Sequence, residues 1–318
     1  MALTETQQAN NIIDRANNIL IIVPEKAPID ALSSMIALYL ALQESPTNNP
    51  SPVQLLDEVS PSHVPPSLQF LPGSSQVKTS LTQQPEVVMD IIGSISIENI
   101  RHEKLRGGTR LHLSLSPNTT VSKDQIETSV RSLPYQAIIV IGATDLEELG
   151  KNFSQYTDFF YNTPIINIDN RAENEHFGTV NLVDITAGSL AEVTYGLISS
   201  RLQKSINPDI ATALYTGIIS GTDSFQSPST TPRSFQVAAD LIELKANRDA
   251  AIQHLIKTKP LHLIKLLGII YARLHQEEQS HLFWAVLENN DFTNTGASAD
   301  DISVAMKELT NNIAGYNI

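Results

Sequence analysis

Three short runs of consecutive, largely β-branched apolar residues constrain this chain most: 19–23 (ILIIV), 137–141 (AIIVI) and 164–168 (PIINI). Runs of this length without alternation are strands buried on both faces, as in a parallel sheet covered by helices. Helical segments are expected at 29–42, 188–201, 209–220 and 231–245, and further strands at 53–56 and 179–183. Strands that alternate with helices predict an α/β fold, a mostly parallel sheet with helices on both faces.

Two stretches depart from that alternation. Residues 87–92, 97–104 and 109–116 alternate in polarity and are rich in β-branched side chains, and Arg106-Gly107-Gly108 forms a hairpin turn between the last two. They predict an antiparallel β-insertion at about 84–117, either an extension of the sheet or a docking surface for a protein partner. The C-terminal third is helical, with segments at 249–257, 261–274 and 298–311, a strand at 281–287, and Trp284 as a core residue. The expected division is an α/β domain over 1–250 and a helical connector over 251–318. At the N-terminus, 4–17 reads as an amphipathic helix with Ile12, Ile13 and Ala16 on its apolar face. Phe70 and Leu71 are expected under the sheet, and Ser122 with Gln125 predicts a capped helix start.

Composition removes several function classes. A net charge of −13 argues against a non-specific nucleic-acid binder. Without cysteine there is no disulfide, thiolate metal site or cysteine nucleophile, which fits a reducing compartment. No apolar run reaches the ~18 residues of a membrane span, and residues 1–18 lack a basic leader pattern, so cytoplasmic is the expected location. There is no P-loop, dinucleotide fingerprint or nucleophile elbow.

Four segments then match a known pattern: ILIIVPEKAPIDALSSMIALYLAL, IIVIGATDLEELG, PIINIDNRAENEHFGTVNLVDITAGSLAEV and ATALYTGIISGTDSFQSPSTTPRSFQVAADLIE. Their order and framework, including NIDN-x(3)-N-x(2)-FG and ALYTGI-x(3)-TDSF-x(4)-TTPR, resemble the DHH (or DDH) phosphoesterase superfamily of the RecJ and nanoRNase/pAp-phosphatase type. The resemblance implies the fold above and, in active members, two divalent cations, usually manganese, held by His and Asp at the strand ends. Such a pair clamps a phosphate and acidifies a bridging water, and it takes several hard ligands to hold.

Most positions that the resemblance assigns to those ligands carry something else here. The His, Asp and Asp of the first motif are Pro24, Pro28 and Asp30, the strand-end aspartate of the second is Gly142, Asp-His-His is Asp169-Asn170-Arg171, and the aspartate of the fourth is Gly221. Proline has no side-chain donor, and a guanidinium repels a dication. The remnant site is therefore Asp30, Asp169, Asn170 and Arg171, with no catalytic residue and no metal expected. Arg171, helped by Lys26, is expected to pair with Asp169 or Asp30 and replace the lost positive charge. A weaker alternative recruits Asp145 and Asp223 beside Asp30 and Asp169.

Ser189, at the start of a helix, and Arg233, in the TTPR turn, are weak candidates for a phosphate or nucleotide, with Arg171 as a second clamp. Against that, Thr186 reads as an N-cap and Thr231-Pro232 as a plain helix start. His176 reads as a structural or surface residue, and Asn174, Phe177 and Gly178 as shapers of the loop after the central strand.

The expected function is a DHH-like pseudoenzyme: a catalytically inactive scaffold or a ligand-sensing module, with no cofactor. The alternative is a divergent phosphodiesterase or phosphatase, dependent on Mn or Mg, acting on short oligonucleotides, pAp or cyclic dinucleotides. The stretch FWAVLENNDFTNTGASADDISVAMKEL resembles the connector to a DHHA-type domain, and the GGGH-like loop of such a domain does not occur in the sequence.

Overall fold

A computed structural model of the chain describes residues 3–24, 26–44, 53–56, 64–78, 81, 86–93, 95–117, 119–131, 133–202, 206–257, 260–277 and 282–312. Helix α1 (Glu5–Arg15) starts at Thr4, whose hydroxyl accepts the Gln7 N–H at 3.2 Å while the Gln7 side chain accepts the Thr4 N–H at 3.0 Å. It buries Ala9 and Ile13. Strand β1 (Ile19–Ile22), helix α2 (Ile29–Gln43), β2 (Val53–Leu56) and the two-residue β3 (Val77–Lys78) follow. The insertion is β4 (Glu86–Ile91), β5 (Ile97–Leu105), β6 (Gly108–Leu115) and β7 (Ile126–Arg131). The chain resumes with β8 (Ala137–Ile141), the short helices α3 (Gly150–Gln155) and α4 (Thr157–Asn162), β9 (Ile165–Asp169) and β10 (Val180–Val183). Helices α5 (Leu190–Leu202), α6 (Pro208–Gly221), α7 (Pro232–Glu243) and α8 (Arg248–Ile252) lead to the boundary between two compact units, Met1–Ala251 and Ile252–Ile318.

The six-stranded sheet has the order β10-β9-β8-β1-β2-β3, and every pairing is parallel. The chain lays β1, β2 and β3 outward in one direction, then returns to lay β8, β9 and β10 in the other. The two halves part between β1 and β8, and the crevice outside their carboxyl ends is where an open α/β sheet receives ligands. β1 and β8 are buried along their whole length. Leu20, Ile22, Ile138 and Val140 share a core with Phe153 of α3 and Phe160 of α4, while α2 packs against β1 and β8 and is flanked by α5 and α6. Each such side chain taken from water contributes ~1.5–3 kcal/mol.

The insertion departs from expectation in two ways. It does not extend the sheet: β4 pairs antiparallel with β7 and β5 with β6, as two separate ribbons. It also runs to residue 131, because the capping box of Ser122 and Gln125 closes only one 3₁₀ turn, Lys123–Gln125. The alternating Ile126-Glu127-Thr128 is then captured by β4, and pairing over six residues outweighs one cap. Under the sheet, Leu71 and Leu68 are buried and Phe70 half-buried.

In the second unit, α9 (Leu261–Ala272), β11 (His275–Glu277), β12 (Leu282–Trp284), α10 (Asn289–Thr295) and α11 (Asp301–Asn312) surround a small core. Leu263, Leu266, Leu267 and Ile270 of α9 meet Ala305 and Leu309 of α11 there. The expected strand at 281–287 is the shorter β12, residue 281 lying outside the described residues, and its partner β11 carries no apolar signal. Trp284 is not core: it is 46% exposed and stacks on His275 at 4.7 Å. Among the described residues no helix is long and apolar enough to cross a membrane.

Candidate functional site

The parallel sheet brings the separated motifs to one place. Pro24, Lys26 and Pro28 follow β1, Gly142 follows β8, and Arg171 follows β9; with Glu147 and Glu148 they line a pocket of about 340 Å³.

Asp169 ends β9 and is completely buried. Its Oδ1 accepts the Asn170 N–H at 2.8 Å and Arg171 Nε at 3.2 Å, and its Oδ2 accepts Asn174 Nδ2 at 2.8 Å and Arg171 Nε at 3.3 Å. Arg171 reaches further, donating through Nη2 to the Gly142 carbonyl at 2.7 Å and to Glu148 at 3.4 Å. The pairing expected of Arg171 therefore forms with Asp169, not Asp30, while Lys26 makes no ion pair among the described residues. Partial burial disfavours the Arg171 charge, but the hydrogen bonds and field of Asp169 and Glu148 raise its pKa above the usual arginine value. A buried carboxylate is tolerated only when such partners meet its oxygens.

The framework residues NIDN-x(3)-N explain why this arrangement is rigid. Asn174 is buried and ties the loop after β9 to Asp169, to the Ala143 carbonyl at 2.9 Å, and to Asn167 of β9, whose Nδ2 donates to its Oδ1 at 2.7 Å. Asn170, where the resemblance places the first histidine, donates to the Ala187 carbonyl at 3.0 Å and so links two loops. Gly178 is required by close approach, since a Cβ there would lie 2.7 Å from the Val180 carbonyl oxygen. His176 is exposed, and its backbone N–H and ring Nδ1 each hydrogen-bond to Asn174.

Asp30 has a different occupation. It sits in the first turn of α2, 5% exposed, and accepts the N–H groups of Leu190 at 2.7 Å and Ala191 at 3.1 Å, the first turn of α5. It is an N-cap supplied from 160 positions away in sequence. Burial pushes its pKa up to about 7, opposed by those two N–H groups. The absence of a side chain at Gly221 makes room for it: a Cβ there would stand 2.5 Å from Asp30 Oδ2. Gly142 is equally committed, with φ +75 and a Cβ position 2.7 Å from Leu190 Cδ1.

These residues do not fit a two-metal centre. The oxygens of Asp30 accept helix N–H groups and those of Asp169 accept a guanidinium, a side-chain amide and a backbone N–H, so a cation at either carboxylate would have to displace or compete with these donors. Asp145 accepts the Glu148 N–H at 2.9 Å beside the 3₁₀ turn Glu147–Leu149, and Asp223 lies on a left-handed turn with φ 48. Among the described residues no three His, Cys, Asp or Glu side chains converge as a metal-holding group.

The weaker anion candidates are likewise engaged. The Ser189 hydroxyl accepts the Glu192 N–H at 3.3 Å, so it, not Thr186, is the local cap of α5, and with Asp30 it uses the first N–H groups of that helix. Thr186 turns to Asp184 instead, donating at 2.6 Å. Arg233 is paired with Asp184 and lies 4.0 Å from the buried Glu192, whose pKa is raised chiefly by burial. Thr231 caps α7, accepting the Ser234 N–H at 3.4 Å.

Sequence comparisons find relatives over part of the chain. A Mycoplasma genitalium protein, MG371, is 27% identical over 153 residues, 48% of this chain and 45% of that protein. The bifunctional oligoribonuclease and PAP phosphatase NrnA of Bacillus subtilis is 28% identical over 116 residues, 36% of this chain and 37% of NrnA. Its Thermus thermophilus counterpart is 31% identical over 108 residues, 34% and 33% respectively. In solved structures, an exopolyphosphatase-related protein from Bacteroides fragilis aligns with a TM-score of 0.71 at 14% identity, over 98% of this chain and 76% of that one. These similarities support a DHH-superfamily assignment. No family model matches it, and the chain spans less than half the length of the curated relatives it matches. The DHH-type sheet and its crevice are present, and the strand ends around that crevice are occupied by the Arg171–Asp169 pair and the Asp30 cap.

Proposed function

We propose that this DHH-type chain has no working two-metal centre and serves as a catalytically inactive scaffold or ligand-sensing module. One observation carries the reading: both carboxylates left at the ligand positions have their oxygens taken by protein donors, Asp30 by α5 and Asp169 by Arg171 and Asn174. Bringing a cation in would mean breaking a buried ion pair and uncapping a helix, each at a cost of order kcal/mol. The ligand class in keeping with the pocket is a small phosphate or nucleotide that meets Lys26 and the outer edge of Arg171.

The second reading rests on its relatives, whose names specify oligoribonuclease and PAP phosphatase activity. It makes this chain a divergent Mn- or Mg-dependent phosphodiesterase or phosphatase acting on short oligonucleotides, pAp or cyclic dinucleotides. It requires Asp30, Asp169, Asp145 and Asp223 to leave their present partners and converge. Purified protein with manganese and a panel of dinucleotides, cyclic dinucleotides and pAp separates the two. The expected rate equals that of Asp169→Ala, and turnover that disappears in that variant would establish the enzyme instead.

A further inference from the structure

The β5–β6 ribbon has one largely apolar face and carries basic residues toward its tip. Its register places Ile100 opposite Leu113, His102 opposite Leu111 and Lys104 opposite Thr109 on one face, because alternate pairs of an antiparallel ladder share a side. Ile100 is 62% and Leu111 58% exposed, and no described side chain from 87 to 128 is buried. A two-stranded ribbon alone is marginal in water, so this one lacks the apolar cover that would hold it. Residues 97–115 carry four basic residues (Arg101, Lys104, Arg106, Arg110) against two acidic ones (Glu98, Glu103), a net +2; the rest of the −13 chain is then −15.

A surface of the opposite kind lies on the body of the same unit. A cleft of about 350 Å³ is lined by Leu146, Tyr161, Ile165 and Phe177 and rimmed by Glu147 and Glu175. Tyr161 is 70% exposed there. The Glu175 N–H donates to the Thr144 carbonyl at 2.9 Å, which fixes the two acidic loops side by side. Aromatic floor and acidic rim match aliphatic face and basic tip.

We propose that the chain forms a two-fold dimer in which the β5–β6 ribbon of each copy docks into the acid-rimmed cleft of the other. The occupant is a second copy, because the basic, apolar ribbon and the acidic, apolar cleft are complementary and belong to one chain, so a two-fold axis satisfies both at once. No residue of the ribbon is among those that line the cleft. The inference is independent of whether the crevice at the strand ends is catalytic.

Sedimentation of the full chain tests it with two variants, Lys104→Glu/Arg106→Glu on the ribbon tip and Glu147→Lys/Glu175→Lys on the cleft rim. All four positions are on the surface, and unchanged circular dichroism and melting temperature control for folding. The expected result is a dimer of the unaltered chain, weakened at least tenfold in each variant alone and restored when the two are mixed, since charge reversal on both sides re-forms both contacts. The dimer should also weaken in about 1 M salt, where the screening length falls to about 3 Å. A monomeric unaltered chain, a dimer indifferent to both variants, or a mixture that stays monomeric would each overturn the proposal. So would a monomer whose ribbon binds anionic vesicles or RNA.

Discussion

The crevice at the strand ends and the β-insertion end in opposite physical states. Around Asp169 every carboxylate oxygen has a donor and the framework asparagines bond to one another. In the insertion the ladders are complete, yet no described side chain from 87 to 128 is buried. Polar residues that lose water must be satisfied inside the protein, so the crevice is rigid and intolerant of change. The apolar faces of the ribbons keep their water until something covers them, and substitutions there should cost the isolated chain little.

That contrast can be broken by stability measurements. The largest loss is expected for Arg171→Ala, which leaves Asp169 buried beside fewer donors. Breaking such pairs costs ~3–5 kcal/mol, and the low end applies because the guanidinium is itself 40% exposed. Arg171→Lys should recover only part of this, since an ammonium cannot span Asp169, Glu148 and the Gly142 carbonyl together. Next comes Gly221→Asp, which restores the aspartate of the family pattern but drives its Cβ into Asp30. Overpacking of that kind costs ~1–3 kcal/mol, and urea titration should show a loss. A gain in stability on adding manganese would mean that the site can be rebuilt and would contradict the reading of the crevice.

A pH test addresses Asp30. Its folded pKa of about 7 lies above the ordinary 3.8, so its contribution to stability is full below the ordinary value and lost as pH rises through about 7. The melting temperature should therefore fall across that window, and Asp30→Ala should flatten this part of the profile while lowering stability by ~0.5–2 kcal/mol through the lost cap. The smallest effect is expected in the insertion: Ile100→Ser or Leu111→Ser should change the unfolding free energy of the monomer by no more than ~0.5 kcal/mol. A loss of several kcal/mol there would show that the ribbon is covered within its own chain, and the contrast would collapse.

Much of this was legible in the sequence because it is written locally. Uninterrupted apolar runs mark β1, β8 and β9 as buried strands, and the departures at Pro24, Pro28, Gly142, Asn170, Arg171 and Gly221 mark altered strand ends by residue identity alone. Trp284 and the segment after Ser122 mislead for the same reason: a large apolar residue and a capping box are local cues, and exposure and strand pairing overrule them.

What only the tertiary structure decided is which partner each surviving charge would choose. Arg171 had two carboxylates to select from and took Asp169, because Asp30 was already held by the amino end of a helix that lies 160 positions further along the chain. A cap contributed across that separation leaves no trace in spacing or periodicity. It depends on two helices meeting at a glycine, which is a property of packing and not of either segment alone.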